Sequence, residues 1–245
     1  MGCCIFVKIG GKLMNIVTRY ASPKHFSALA KRLAPWMGAT AGILLTLGLY
    51  WGLLIAPTDY QQGDGYRIMF VHVPAAWMSL IIYVVMTGCA LATLIWRTKI
   101  SEYWLLSSPL LGASFTFLTL VTGSLWGRPM WGTWWVWDAR LTSELILLFI
   151  YLGIMALEGA IPDRRKAARV VSMLTLVGSV NIPIIKFSVD WWNTLHQPAS
   201  IFRAGGPAIH PLMLIPLFLM AGAFTCYYFC LVLWKIHKQI KGKHV

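Results

Sequence analysis

Two histidines and a run of tryptophans hold most of the side chains able to do chemistry in this sequence. His72 stands in FVHVPAAW and His196 in DWWNTLHQP. Between them, at 129–140, lies PMWGTWWVWDAR, with four tryptophans in the seven positions 131–137. Neutral imidazole is a common metal ligand. One such histidine at a helix end is ordinarily a hydrogen-bonded polar residue, but two beside a bank of indoles can hold a metal from two sides. Indoles present broad, rigid, apolar area, and stacking and dispersion grow with contact. The combination suits a large planar ligand with a metal at its centre.

Haem fits that description, since two imidazoles can occupy both axial positions of its iron. If Pro129 opens a helix in its first turn, Trp131, Trp135 and Asp138 share one face, and Trp134, Trp137 and Leu141 the adjoining one. Gly132 removes a side chain and lets a flat object approach. Asp138 precedes ARLTSEL and is equally placed to cap the next helix. Haem also carries two propionates, and Arg67, Arg128 and Arg140 are candidates to pair them as bidentate forks. A third histidine of the same set, His210, precedes Pro211 and is well placed to cap a helix.

The elements that must position these residues follow from composition. Of 245 residues, 58% are hydrophobic and 12% charged, with a mean hydropathy of +0.67. A soluble domain carries roughly twice that charged fraction, about 25%. Apolar windows near 35–56, 73–96, 105–126, 142–159, 169–187 and 211–234 predict six transmembrane helices. The expected fold is therefore all-α, an integral membrane protein. Its parts are a basic segment over 1–34, a membrane domain over 35–235 with the tryptophan segment at 126–142, and a basic tail over 236–245. Ser114, Thr116, Thr119 and Thr122 mark the third helix as one packed against others. Pro183 predicts a kink near the outer third of the fifth.

Charge gives the orientation. The basic N-terminal residues, Arg97 and Lys99, the run Arg164, Arg165, Lys166 and Arg169, and the tail lysines all fall on one side. On the other side Arg67, Arg128, Arg140, Lys186 and Arg203 are cancelled by Asp59, Asp64, Asp138, Glu144 and Asp190. The whole net charge of +13 is thus a topology signal, and both termini are expected to be cytoplasmic. Nucleic-acid binding is the wrong reading of the pI of about 9.8. The tryptophan segment then faces outward between helices three and four. Trp36, Trp51, Trp96, Trp104, Trp126 and Trp234 read as an interfacial aromatic belt.

Other classes are disfavoured. No G-x-x-x-x-G-K-[ST] occurs, so ATP, if used, is expected to be hydrolysed by a partner. No C-x-x-C occurs, which argues against thioredoxin-type chemistry and covalent haem attachment through C-x-x-C-H. An electron-carrying cytochrome ordinarily needs histidines at more than one depth, and a permease or pump ordinarily shows ionisable residues along its helices. Both signals are weak here.

WGTWWVWD follows the pattern W-G-x-x-W-x-W-D of the haem-handling, or WWD-domain, membrane proteins. With FVHVPAAW before it, WWNTLHQP after it and six spans, residues 35–235 resemble the cytochrome c maturation protein C (haem exporter protein C) family. The resemblance implies non-covalent haem b on the outward face of the bacterial inner membrane, with His72 and His196 as axial ligands. Trp131, Gly132, Trp135, Trp137 and Asp138 fall on the named motif positions, with Trp134 inside the same run. It implies delivery of haem to a periplasmic chaperone, beside the ATPase and membrane subunits of an ABC transporter and a small accessory membrane protein. The role is haem binding and transfer rather than enzymatic catalysis, with a haem permease as the alternative.

Overall fold

The computed structural model describes residues 22–196, 201 and 205–242, and among these every regular element is a helix. α1 (Pro23–Tyr50) continues through a π-helical turn, Trp51–Ile55. A 3-10 turn, Asp64–Ile68, leads into α2 (Met69–Ile95). α3 (Lys99–Ser107) and α4 (Pro109–Trp131) form the third span, and α5 (Ala139–Ala160) the fourth. α6 (Arg164–Gly178) and α7 (Asn181–Trp191) form the fifth, and α8 (Pro211–Lys241) the sixth. Six helical stretches are long and apolar enough to cross a bilayer. Each is longer than the window drawn from hydropathy, because helices continue past the apolar zone into polar ends; the first begins at Pro23.

The third span is the innermost. Its hydrophobic window is 67% buried, against 39% or less for the others. The small residues make this possible: Thr116, Thr119 and Thr122 are buried and return their hydroxyl protons to carbonyls of their own helix, so these three hydroxyls are satisfied in an apolar setting. Ser114 departs from the expectation, being on the exposed face and bonded to Leu110 O. Below the outer third, Ile82, Tyr83, Met86, Leu147, Tyr151 and Ile154 are fully buried and fill the centre of the bundle.

The fifth span breaks rather than kinks. α6 ends at Gly178, and α7 begins at Asn181 with Pro183 in its first turn. Proline lacks an N–H and its ring crowds the carbonyl four residues back, here Ser179, so the interruption precedes Pro183. Asn181 fixes the break by donating Nδ2–H to Ser143 O at 2.9 Å. A hydrogen-bonded contact between Ser27 and His237 brings the start of α1 beside the end of α8. The candidate residues gather at the opposite end of the bundle.

Candidate functional site

A cavity of about 440 Å3 opens at that end. α2 contributes His72, Trp77 and Leu80, α4 contributes Trp126 and Trp131, α5 contributes Arg140, and α7 contributes Lys186 and Asp190. His196, from the segment after α7, closes the wall. Thus the two histidines, 124 positions apart in sequence, share one space.

Each histidine is held by one ring nitrogen. His72 Nδ1 lies 3.0 Å from Thr122 Oγ1. The Thr122 hydroxyl proton is spent on Leu118 O at 2.6 Å. Its oxygen therefore accepts, His72 Nδ1 is the protonated nitrogen, and Nε2 keeps its lone pair. Gly123 allows the ring to lie against α4, since a Cβ there would sit 3.1 Å from His72 Cε1. Trp126 packs edge-on to the imidazole at 5.8 Å and donates Nε1–H to Gln62 Oε1 at 3.1 Å.

His196 repeats the pattern with different parts. Its Nδ1 faces Asp138 Oδ2 at 3.4 Å. Thr194 donates its hydroxyl to the same carboxylate oxygen and accepts the His196 backbone N–H at 3.1 Å. Burial pushes the Asp138 carboxyl up, but the Thr194 hydroxyl, the Leu141 N–H and the neighbouring His196 outweigh it and hold Asp138 below the usual carboxylate range. Burial lowers His196; Asp138 opposes this and Arg140 adds to it, and the net direction is down. The pair is therefore a neutral imidazole donating Nδ1–H to a carboxylate, again leaving Nε2 with its lone pair. Trp131 packs edge-on to this ring at 5.0 Å.

The tryptophan segment is not a helix. α4 runs to Trp131, with Pro129 in its last turns, and stops at Gly132, whose φ of +75° and ψ of 0° give a left-handed end. No atom lies within 4 Å of where a Gly132 Cβ would be, so the positive φ of the turn, and not a protein neighbour, is what calls for glycine here. Thr133 folds the next residues by accepting the Trp135 N–H and donating to Trp135 O. Asp138 then caps α5, its Oδ1 accepting Leu141 N–H at 2.8 Å. The helical faces expected for the indoles do not form. Trp131 lines the cavity, Trp135 and Trp137 pack edge to face at 5.4 Å, and Trp134 and Trp137 are exposed. Asp138 takes the capping role expected of it and in addition faces His196, a contact the sequence did not indicate.

The three arginines separate. Arg140 lines the cavity and donates Nη1–H to Ile185 O at 2.9 Å. Arg67 instead ties Gly52 O at 2.6 Å to Asp64 at 2.9 Å, and Arg128 donates to Gly132 O beside the Trp134 ring. His210 caps α8 by accepting Leu212 N–H and is exposed. Trp126, read as belt, is instead a wall of the cavity. Thr122, read as packing, and Thr194, unread, orient the histidines. Thr194 carried a local signal, lying two residues before His196, where a hydroxyl folds the chain back on itself. Thr122 carried none, because its partner is 50 residues away.

The protein-family model described as heme exporter protein C matches residues 16–245. A heme exporter protein C of Bradyrhizobium diazoefficiens is 53% identical over 225 residues, 92% of this chain and 85% of its own length. That of Haemophilus influenzae is 46% identical over 221 residues, 90% of each chain. That of Escherichia coli K12 is 49% identical over 197 residues, 80% of this chain and 79% of its own. By these matches, and with six helices able to span a bilayer, this chain is a multi-pass membrane protein that belongs to the heme exporter protein C family.

Proposed function

We propose that this chain carries haem b non-covalently at the outward end of its bundle, with His72 and His196 as axial ligands, and hands it to a periplasmic haem chaperone for c-type cytochrome assembly. The observation that carries the reading is that both histidines line one cavity with Nδ1 turned to a protein acceptor. In the tautomer those acceptors favour, each imidazole spends Nδ1–H on the protein and leaves Nε2 with its lone pair for a ligand. Protein ligands of a metal characteristically donate their second ring nitrogen in this way. A cavity of this volume lies within the usual range for small-molecule sites, about 300–1,000 Å3.

Haem is cargo here, and each residue has one task. Arg140 offers a guanidinium to a propionate inside the cavity. Trp131 and Trp126 hold the two imidazole planes. Arg67 and Arg128 brace the segments on either side, and the exposed Trp134 and Trp137 form the surface over which the chaperone takes the macrocycle. ATP hydrolysis belongs to partner subunits of the ABC-transporter type, with a small accessory membrane protein, in the bacterial inner membrane with the basic ends cytoplasmic. Delivery is favoured over permeation because the buried side chains beneath the cavity fill the centre of the bundle.

The test is haem content after purification from haem-replete membranes. The wild-type chain should carry haem, and His72→Ala/His196→Ala should insert normally yet carry almost none. Equal haem in both would overturn the reading.

A further inference from the structure

Behind the cavity lies an acidic residue that the histidines and indoles do not use. Glu144, one turn after Arg140 on α5, is 5% exposed and sits within the span. Positions i and i+4 share a helix face, and the two charges act on one another. Arg140 reaches the cavity wall; Glu144 does not. A buried guanidinium needs a counter-charge, and a buried carboxylate does too.

The partner of Glu144 suits two protonation states. Ser79 Oγ lies 2.8 Å from Glu144 Oε1 and 2.8 Å from Ala76 O. A hydroxyl has one proton and can also accept. With Glu144 ionised, Ser79 donates to it. With Glu144 protonated, Ser79 turns its proton to Ala76 O and accepts from the carboxyl. Both arrangements are satisfied without moving a heavy atom. Among the described residues, no counter-charge other than Arg140 acts on Glu144. On its own helix Tyr151 is committed to Ser79 O at 2.7 Å, and on α2 Tyr83 is committed to Thr175 O at 3.0 Å. α4 offers the hydroxyls Thr116 and Thr119, each bonded to its own helix. Of the remaining charged or titratable groups, His72, Lys186, Asp190 and His196 line the cavity, and Asp138, a second carboxylate acting on Arg140, is held by Leu141 N–H and the Thr194 hydroxyl.

We propose that Glu144 is a positioning residue that serves as counter-charge to Arg140 in the unloaded protein and takes up a proton when a ligand carboxylate enters the cavity and replaces it. The inference rests on the haem reading above, the carboxylate being a propionate. Before binding, the guanidinium and Glu144 carboxylate neutralise one another. After binding, the guanidinium pairs with the propionate, and one proton from the aqueous side neutralises Glu144. No electron moves and no covalent bond to the ligand forms. Release reverses the step and returns the proton.

The sign follows. Binding consumes a proton, so affinity for a carboxylate-bearing haem strengthens on acidification. The slope is about tenfold per pH unit wherever Glu144 is ionised in the free protein and protonated in the bound one.

The probes are haemin and its dimethyl ester, which lacks free carboxylates, added to purified protein in weak buffer with a pH-indicator dye. Wild type should take up about one proton per haemin and none with the ester. Glu144→Gln should bind haemin with the wild-type absorption spectrum but without proton uptake. An independent readout needs no variant. The infrared difference spectrum on haemin binding should show a new protonated-carboxyl band that shifts when glutamate, and not aspartate, carries carboxyl carbon-13. Proton uptake unchanged in Glu144→Gln, equal uptake with the ester, or no glutamate band overturns the proposal while leaving the haem reading intact. Failure of wild type to bind haemin at all overturns both.

Discussion

Thr122 and Asp138 fix which nitrogen of each histidine is left for a ligand, and single substitutions separate that role from bulk. Thr122→Val keeps the shape but removes the acceptor, leaving His72 Nδ1–H without this partner. Outer partners of metal-bound histidines commonly account for about 10–100-fold in affinity, and a loss of that size is expected for haem, with Thr122→Ser near wild type. Asp138→Asn should act similarly on His196, because an amide can present N–H to Nδ1 and so favour the wrong tautomer. Haem titrations followed by absorbance check both; wild-type affinity in Thr122→Val and Asp138→Asn would show that the ring orientation is set elsewhere. At this scale the residue types were legible. His72, His196 and Arg140 were named from chemistry and converge on one cavity. Thr122 was not legible as an orienting group because its pairing is tertiary, and Arg67 and Arg128 looked equivalent to Arg140 because sequence does not say which carbonyls a guanidinium will find.

The tryptophan segment shows how an element decides what its residues present. A continuous helix from Pro129 would have stacked the indoles in two files. Gly132 instead ends α4 with positive φ, Thr133 makes a tight turn, and Asp138 starts α5. Those stop and start signals stand in the sequence, and they outrank the spacing of the tryptophans because a left-handed glycine terminates a helix outright. Pro183 was read as a kink, whereas the helix breaks between Gly178 and Asn181, where the ring crowds the backbone. Gly132→Ala meets no neighbouring atom, so its cost is the left-handed backbone alone, about 1–2 kcal/mol. It should lower thermal stability modestly and haem delivery more, by misdirecting the segment that follows. Delivery to the chaperone equal to wild type would mean that the turn does not aim the indoles. Trp135→Ala/Trp137→Ala removes an edge-to-face pair while leaving the belt tryptophans in place. The doubly substituted protein should insert normally and hold less haem; full occupancy would return the segment to a purely interfacial role.

As a whole, the molecule places apolar side chains outward along its spans, as with Leu54, Phe117 and Val177, and sets the buried Asp138 and Glu144 toward one end. The six spans were legible because a bilayer demands long apolar helices. Their packing order was not, because helices equally apolar on all sides give no direction, and only the small residues of the third span hinted at the centre. The charge asymmetry predicts that the cavity end faces the periplasm. Tyr60→Cys, at a 91% exposed position near that end, should label with a membrane-impermeant maleimide in intact spheroplasts, whereas Lys241→Cys should label only after lysis; the reverse pattern would invert the topology. The most direct measurement of the central claim is the absorption and electron-paramagnetic-resonance spectrum of the haem-loaded protein and its single histidine variants. Wild type should show six-coordinate iron with two imidazoles, and His210→Ala should be unchanged. His72→Ala and His196→Ala should each lose one axial ligand and regain a bis-imidazole spectrum with added imidazole, while still delivering haem poorly. A bis-imidazole spectrum that survives His196→Ala without added imidazole, or is lost in His210→Ala, would contradict the assignment.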